Sequence, residues 1–506
     1  MQTIAAIDFG SNAIRLLIGK VDENGQAEAL ESLRIPVRLG KDTFQNGIVS
    51  EASMQETVNA FSSFQKVIHD YGVSHFRAVS TSAMREAVNR DILASRILQA
   101  TGIQVDVISG EEEARLIHLA VSKVIDLHKN VALLIDIGGG SMEATLSENG
   151  NILFAESYKI GAVRLLTQLN QPDTPGVSVE ELVREVIESP RRRLRQILQT
   201  PKVTLLVGTG GNVEELAELA RKLFKRKTNR EISLKDLSMV IERLETTTFE
   251  DRISQLGLRP DRADVILPAA ILLKAVADET HQEVISVPGV SLKEGVLWDL
   301  AEEFTQRAQL SRHDQVWVSI QRLGNKYATD EAHSSHVADL AGQIFDQTHT
   351  LHNLGFEYRL LLEAGAYLHD VGHFISTIDH DQHGYYILTA NPLIGLTDSQ
   401  QAIVANLVRF HRRQPPNLEE PAFRVLPQKD RLVVLKLLSF LRIADGLDTN
   451  RSGRVKLVSL KNEHSAWEMD LSGDCDLLLE KWTADKRKGL FCELFGVTLK
   501  INDSCT

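Results

Sequence analysis

Ile4-Ala5-Ala6-Ile7-Asp8-Phe9-Gly10-Ser11-Asn12 and Leu133-Leu134-Ile135-Asp136-Ile137-Gly138-Gly139-Gly140-Ser141-Met142-Glu143 are two versions of one pattern. Each runs from an apolar strand into an aspartate, then small residues, then apolar sequence again. The repetition predicts an internal duplication of one α/β unit. Glycine lets backbone N–H groups close on an anion, and successive N–H groups form an anion-binding nest. A hydroxyl adds a donor, and the neighbouring aspartate suits Mg²⁺, held directly or through water. Two such loops face to face predict a cleft for a phosphorylated, metal-bound ligand. One Asp-x-Gly turn alone is more often a plain hairpin, but two copies ending apolar strands reverse that balance. Neither loop is a Walker A motif or a GxGxxG dinucleotide fingerprint.

At 506 residues the chain is long enough for several domains with sizeable cores. Its 43% hydrophobic and 25% charged residues match a soluble globular protein. No apolar run is long enough to span a bilayer, and the first residues enter a strand without a signal-peptide pattern. Cys475, Cys492 and Cys505 lack CxxC spacing, which argues against a disulfide framework and fits a reducing cytoplasm. The net charge of −12 argues against a nucleic-acid coat. Two basic runs, Arg191-Arg192-Arg193 with Arg195 and Arg221-Lys222 with Lys225-Arg226-Lys227 and Arg230, would still shape a local field for a polyanion. Solvated helix faces account for them equally well.

Strand and helix patterns alternate through residues 1–125 and again through 126–306, which predicts two α/β domains. The second includes a helix over 260–279, which Pro268 is expected to shift. Residues 312–452 read as all helix with periodic apolar residues and histidines, interrupted by a proline-rich, basic surface loop at 412–431. Residues 453–506 read as a small α+β domain, with strands at 455–460, 465–471 and 489–495.

Three further segments add chemistry. Val79-Ser80-Thr81-Ser82-Ala83-Met84-Arg85 sets hydroxyls and an arginine after a strand. Ser109-Gly110-Glu111-Glu112-Glu113-Ala114-Arg115 opens a helix with a capping serine and three carboxylates. Favourable interaction with the helix dipole explains at least two of the three. Gly208-Thr209-Gly210-Gly211-Asn212 is a third glycine-rich turn. With Ile160-Gly161-Ala162-Val163-Arg164-Leu165, this ordered set resembles the exopolyphosphatase/guanosine pentaphosphate phosphohydrolase (Ppx/GppA) family, in its long form.

The resemblance implies two actin-like, ribonuclease-H-like (ASKHA) domains. It makes Glu113 the base that activates water and Arg85 the arginine on the phosphate under attack. It assigns Asp8, Asp136 and Glu143 to Mg²⁺. Gly10, Ser11, Asn12, Gly138, Gly139, Gly140, Ser141, Gly210 and Gly211 would cradle phosphate. Glu111 is an extra acid where family members often carry another residue, so the base could lie a position or two away.

In the helical segment His336, His369-Asp370, His383, His411 and Asp445 follow one another. This order is similar to the HD phosphohydrolase superfamily. It implies one divalent metal (Mn, Fe, Mg or Zn) on His336, His369, Asp370 and Asp445, with His383 and His411 taking a second metal or a phosphate. The alternative is a degenerate domain that extends a basic channel and makes a dimer contact.

The leading expectation is an exopolyphosphatase that releases orthophosphate from inorganic polyphosphate. The alternative is hydrolysis of the 5′ γ-phosphate of guanosine pentaphosphate (pppGpp). A sugar-kinase-like phosphotransferase and a non-catalytic alarmone or polyphosphate sensor rank lower. The family also implies a cytoplasmic homodimer without nucleic acid or an integral membrane segment.

Overall fold

β1 (Gln2–Phe9) and β2 (Ala13–Val21) form an antiparallel hairpin, and β3 (Ala27–Pro36) extends it. β4 (His75–Ser80) and β5 (Val105–Val107) add in parallel beyond β1, giving the order β3-β2-β1-β4-β5. The same plan then recurs. β6 (Val131–Ile137), β7 (Met142–Glu148) and β8 (Asn151–Tyr158) form the antiparallel side. β9 (Leu205–Thr209), β10 (Glu231–Ser233) and β11 (Val284–Ser286) complete the sheet in the order β10-β11-β9-β6-β7-β8. Except for the extra edge strand β10, the two sheets share one strand order. The duplication read from the two loops is therefore a duplication of topology.

The computed structural model describes the chain apart from residues 1, 23–24, 26, 170–177, 200–201, 303–305, 413, 464–465, 474–475 and 504–506. Cys475 and Cys505 lie outside the described residues; Cys492 is half-buried and free. The chain divides into two compact units, Met1–Ser311 and Arg312–Thr506.

In the first unit, β1 is buried on both faces, as a central strand flanked by helices must be. Ala5, Ile7 and Phe9 pack on Phe61, Phe64 and Leu93. Their alternates Ile4 and Ala6 face the opposite way. There they join Leu116, Val121, Val296 and Leu297, together with Ala132, Leu134 and Val207 of the second sheet. The helices Gly110–Ser122 and Leu292–Glu302 thus form a layer shared by both sheets. They approach so closely at Gly295 that a Cβ there would overlap the Leu116 carbonyl.

In the second unit, helices Glu331–Gln347, Glu357–Leu368, Asp398–Phe410 and Gln428–Leu447 bury one core. A sheet of β12 (Lys456–Glu463), β13 (Ala466–Ser472) and β14 (Thr498–Asp503) belongs to the same core, with Trp467, Met469 and Leu471 turned inward.

Three local expectations change. Residues 489–495 form the helix Gly489–Phe495, not a strand. Phe491 and Phe495, four apart, stack edge to face at 5.1 Å, a helical spacing. The expected 412–431 loop contains the short helix Pro421–Arg424 and the first turn of Gln428–Leu447. Two of its prolines, Pro421 and Pro427, sit at helix starts, where the missing N–H costs nothing. Residues 260–279 break into Pro260–Ala263 and Ile266–Ala277, and Pro268 falls in the first turn of the latter.

His118 lies on Gly110–Ser122, buried, with Nε2 2.9 Å from Ser147 Oγ. Burial, and secondarily Arg115, pulls its pKa down to about 4. The unfolded imidazole titrates near 6.5. Below that pH the unfolded chain binds a proton that the folded chain refuses. The His118 contribution is therefore full above pH 6.5 and is lost as pH falls towards 4, by about 2 kcal/mol at pH 5. Urea unfolding of wild type and His118→Gln at pH 7.5 and 5 should show a steeper acid loss in the wild type. Parallel losses would contradict this account.

Candidate active site

The β1–β2 and β6–β7 hairpins turn through matching geometry. Gly10 N–H donates to the Ala13 carbonyl at 3.2 Å, and Gly138 N–H to the Ser141 carbonyl at 3.0 Å. Behind the turns, register pairs Asp8 with Arg15 and Asp136 with Glu143. The equivalent positions therefore hold an acid–base pair in one half and an acid–acid pair in the other. Arg15 donates to Asp8 at 2.7 Å. Sequence reasoning missed Arg15, although its offset from Asp8 equals that of Glu143 from Asp136.

Asp8, Gly10, Ser11, Asn12, Glu113, Asp136, Gly138, Gly139, Ser141, Gly210 and Gly211 line one pocket. Gly140, Arg85 and Glu143 are not among its lining residues. Glu143 and Arg85 reach the site through Glu113. Carboxylate oxygens of Glu113, Asp136 and Glu143 lie within 4.8 Å of one another. Asp8, expected as a metal ligand, is outside this group and is committed to Arg15.

The loops need their glycines for close approach. A Cβ on Gly139 would stand 3.1 Å from Ser11 Cβ, and one on Gly161 would stand 2.6 Å from the Gly139 backbone. A Cβ on Gly140 would overlap Phe44 and Ser82. The Arg164 guanidinium holds the loop through the Gly140 carbonyl at 2.8 Å and lies over the Phe44 ring at 4.1 Å. Gly210, at φ +86°, adopts a backbone that other residues rarely reach. It lets Thr209 Oγ1 donate to Asp136 at 2.7 Å.

Helical rotation separates the three glutamates. Glu112 turns away to hold Arg115 through two bonds of 2.7 and 2.9 Å, and Arg115 also donates to Asp299 at 2.8 Å. Glu111 is half-buried and lines no part of the pocket. Glu113 alone faces it. The Arg85 guanidinium donates to the Ile108 carbonyl at 2.6 Å and approaches Glu113 Oε2 at 3.6 Å. Burial, then the Glu143 charge, pushes Glu113 well above the usual carboxylate range. Burial, then Asp136, raises Glu143 to about 7, opposed by hydrogen bonds from Ser141 and Ser157. Burial lifts Asp136 to about 6 against the Thr209 hydrogen bond. Glu113 Oε2 and Glu143 Oε2 are buried without a hydrogen-bond partner. An all-oxygen set with bare, crowded acceptors fits a hard divalent cation.

The second unit gathers His369, Asp370, His411 and Asp445, but with His333, His373 and His380. His336 and His383, the expected ligands, stand one helical turn further along and outside both candidate metal clusters among the described residues. His333 is the buried histidine of its helix start, following the N-cap Asp330; His380 opens the helix His380–Ala390. A spacing of three on a helix keeps both histidines near one face, so order alone did not choose between them.

Residues 17–304 match the Ppx/GppA phosphatase family, and residues 317–483 match Ppx/GppA phosphatase, domain III. A guanosine-5'-triphosphate,3'-diphosphate pyrophosphatase from Photobacterium profundum is 28% identical over 445 residues, covering 86% of this chain and 85% of its own. The enzyme of the same name from Vibrio atlanticus is 28% identical over 445 residues, covering 86% of each. Among solved structures, an exopolyphosphatase from Cytophaga hutchinsonii is similar with TM-score 0.55 and 29% identity, over 60% of this chain and 98% of its own. The Aquifex aeolicus member of the Ppx/GppA family gives TM-score 0.50 and 24% identity over 60% and 98%, a likeness of fold. The duplicated sheets of the first unit are accordingly actin-like α/β domains. The match covers more than half the chain and contains Arg85, Glu113 and the second glycine loop, and the chain belongs to the Ppx/GppA phosphatase family.

Proposed function

We propose that this phosphoanhydride hydrolase acts on pppGpp, removing the 5′ γ-phosphate. The observation that carries the chemistry is the buried group of Glu113, Asp136 and Glu143 beside Arg85 at the two glycine loops. The choice of nucleotide rests on the guanosine-5'-triphosphate,3'-diphosphate pyrophosphatases, which align along 86% of the chain. This reverses the order expected from sequence, where polyphosphate led. The basic runs that favoured a polymer channel are largely engaged with local acids. Arg191 and Arg195 hold Glu279, Arg221 holds Glu218, and Arg226 holds Asp236. Exopolyphosphatase activity is the second reading, favoured by the likeness to the Cytophaga hutchinsonii enzyme.

Enzymes of this family generally depend on a divalent metal. Asp136 and Glu143 fit Mg²⁺, which when bound would neutralise phosphate charge and hold the anhydride in place. The chain's own residues supply the rest. Backbone N–H groups of the two loops bind the phosphate oxygens, and Arg85 takes the charge on the phosphate under attack. Glu113, its affinity for protons raised by burial, accepts the proton of the attacking water. Water adds at phosphorus, the anhydride P–O bond breaks, and orthophosphate leaves. The same reading divides the chain at 1–125, 126–306, 312–452 and 453–506, with the third part an HD-type domain. It also makes the protein a cytoplasmic homodimer, as the family resemblance implies.

Orthophosphate release from pppGpp and from long-chain polyphosphate, each with Mg²⁺, tests the assignment. A higher kcat/KM on pppGpp is expected; the reverse order would install polyphosphate instead. Glu113→Gln should lower kcat by roughly 10²–10⁴-fold with little change in the melting curve. Activity near wild type would remove Glu113 from the base role. Gly161→Ala should push the Gly139 backbone out of position and lower kcat by about 10²-fold, since displacements near 1 Å cost that much. An unaffected kcat would show that the loop tolerates the extra methyl group.

A further inference from the structure

The two glycine loops meet across the cleft. A Cβ on Gly139 would stand 3.1 Å from Ser11 Cβ and 3.6 Å from the Asn12 backbone nitrogen. Glycine loops have few side chains to interlock and a soft backbone, so contact alone does not fix their register. Each is held from outside, and in both cases by an arginine.

The first loop is held by Arg38. Its N–H donates to the Asn12 carbonyl at 3.2 Å, and the Gly40 N–H donates to the Ser11 carbonyl at 2.8 Å. Arg38 stands at φ 55° and ψ 33°, a left-handed backbone that suits glycine better than a residue with a side chain. A residue kept in such a conformation is one whose side chain has a task. The Arg38 guanidinium crosses to the second half and pairs with Asp264. Asn12 itself donates from Nδ2 to the Asp261 carbonyl at 3.1 Å. The segment 260–264 of the second half therefore grips the first loop at two points.

The second loop is held by Arg164. Its Nε donates to the Gly140 carbonyl at 2.8 Å. The same guanidinium donates to Glu86 at 2.5 Å and lies over the Phe44 ring at 4.1 Å. Glu86 and Phe44 belong to the first half. The arrangement is thus reciprocal: each loop is pinned by an arginine of its own half, and that guanidinium is anchored in the other half. Neither arginine lines the pocket.

We propose that Arg38 and Arg164 are positioning residues that set the two loops in register, so that both grip one phosphoanhydride at once. A ligand held by one loop gains the second grip as an intramolecular event, and that gain is lost when the loops drift apart. The inference rests on the phosphate-binding role proposed for the loops, and it is the same for pppGpp and for polyphosphate.

The test is isothermal titration of the full chain, with Mg²⁺, against two probes. Methylenediphosphonate spans two phosphate positions and cannot be hydrolysed; orthophosphate fills one. Asp264→Ala, Glu86→Ala and Arg164→Lys should each weaken the diphosphonate by about tenfold or more and leave orthophosphate within about twofold of wild type, because only the diphosphonate draws on both loops. Lysine keeps the charge at 164 but lacks the fork that reaches two acceptors. Arg38→Gly relieves the left-handed backbone while cutting the tie. It should therefore melt no lower than wild type and still lose diphosphonate affinity, a combination that a merely structural role would not produce. Glu218→Gln, in a surface pair with Arg221, should match wild type throughout. Wild-type chain that binds neither probe would remove the phosphate role of the loops and this proposal with it. Variants that hold the diphosphonate as wild type does would overturn the proposal alone. Equal weakening of both probes together with a lowered melting temperature would do the same, since the arginines would then be supporting the fold and not the register.

Discussion

Buried carboxylates that outnumber their one positive partner, Arg85, are the constraint around which the first unit is arranged. Asp136 and Glu143 face each other across a strand pair, and Glu113 is pressed against both from a helix. Alone, such a group is among the more costly things a folded chain can hold. It persists because the surroundings are stiff: both hairpins are stapled by their Gly10 and Gly138 turns, and the Gly110–Ser122 helix is locked by the Glu112–Arg115–Asp299 network. Stability supplied by the shared layer of Leu116, Val296 and Leu297 lets the carboxylates stay close.

The duplication sharpens this point. In the first half, the position facing Asp8 is Arg15, and the charge is cancelled within the hairpin. In the second half, the equivalent position is Glu143, and the charge is doubled. Topology is common to the halves; electrostatics is not. One half therefore offers a neutral wall with backbone donors, while the other offers a strongly electronegative wall suited to a cation. A phosphoanhydride with its metal needs both kinds of surface, one on each side.

Much of this was legible in the residues. The paired loops announced the repeated sheet because each combines an apolar strand with glycines that only a close backbone approach requires. Arg85 and Glu113 could be named because their motifs come in a fixed order, and both do stand at the cleft. The pairing of Asp8 with Arg15 was missed, since it depends on strand register. At 489–495 alternation suggested a strand, yet Phe491 and Phe495 pack at helical spacing against the common core. A short apolar stretch fits both periods, and only its tertiary neighbours decide between them.

The histidine cluster groups differently from the set that the resemblance implied. Asp370, His369, His411 and Asp445 were identifiable because each stands at or near a helix end, where order along the chain is informative. His336 and His383, which the resemblance implied, lie three residues along the helix from His333 and His380, near the same face. What separates them is the partner of Nδ1. His333 is aimed by Asp448 and His380 by the Thr377 carbonyl, contacts set by packing. The orientation of an imidazole is set by the atom that holds its other nitrogen. The same logic operates in the first unit, where Thr209 orients Asp136 and Ser157 orients Glu143. In both units, the clustered side chains are aimed by neighbours that their own motifs do not reveal.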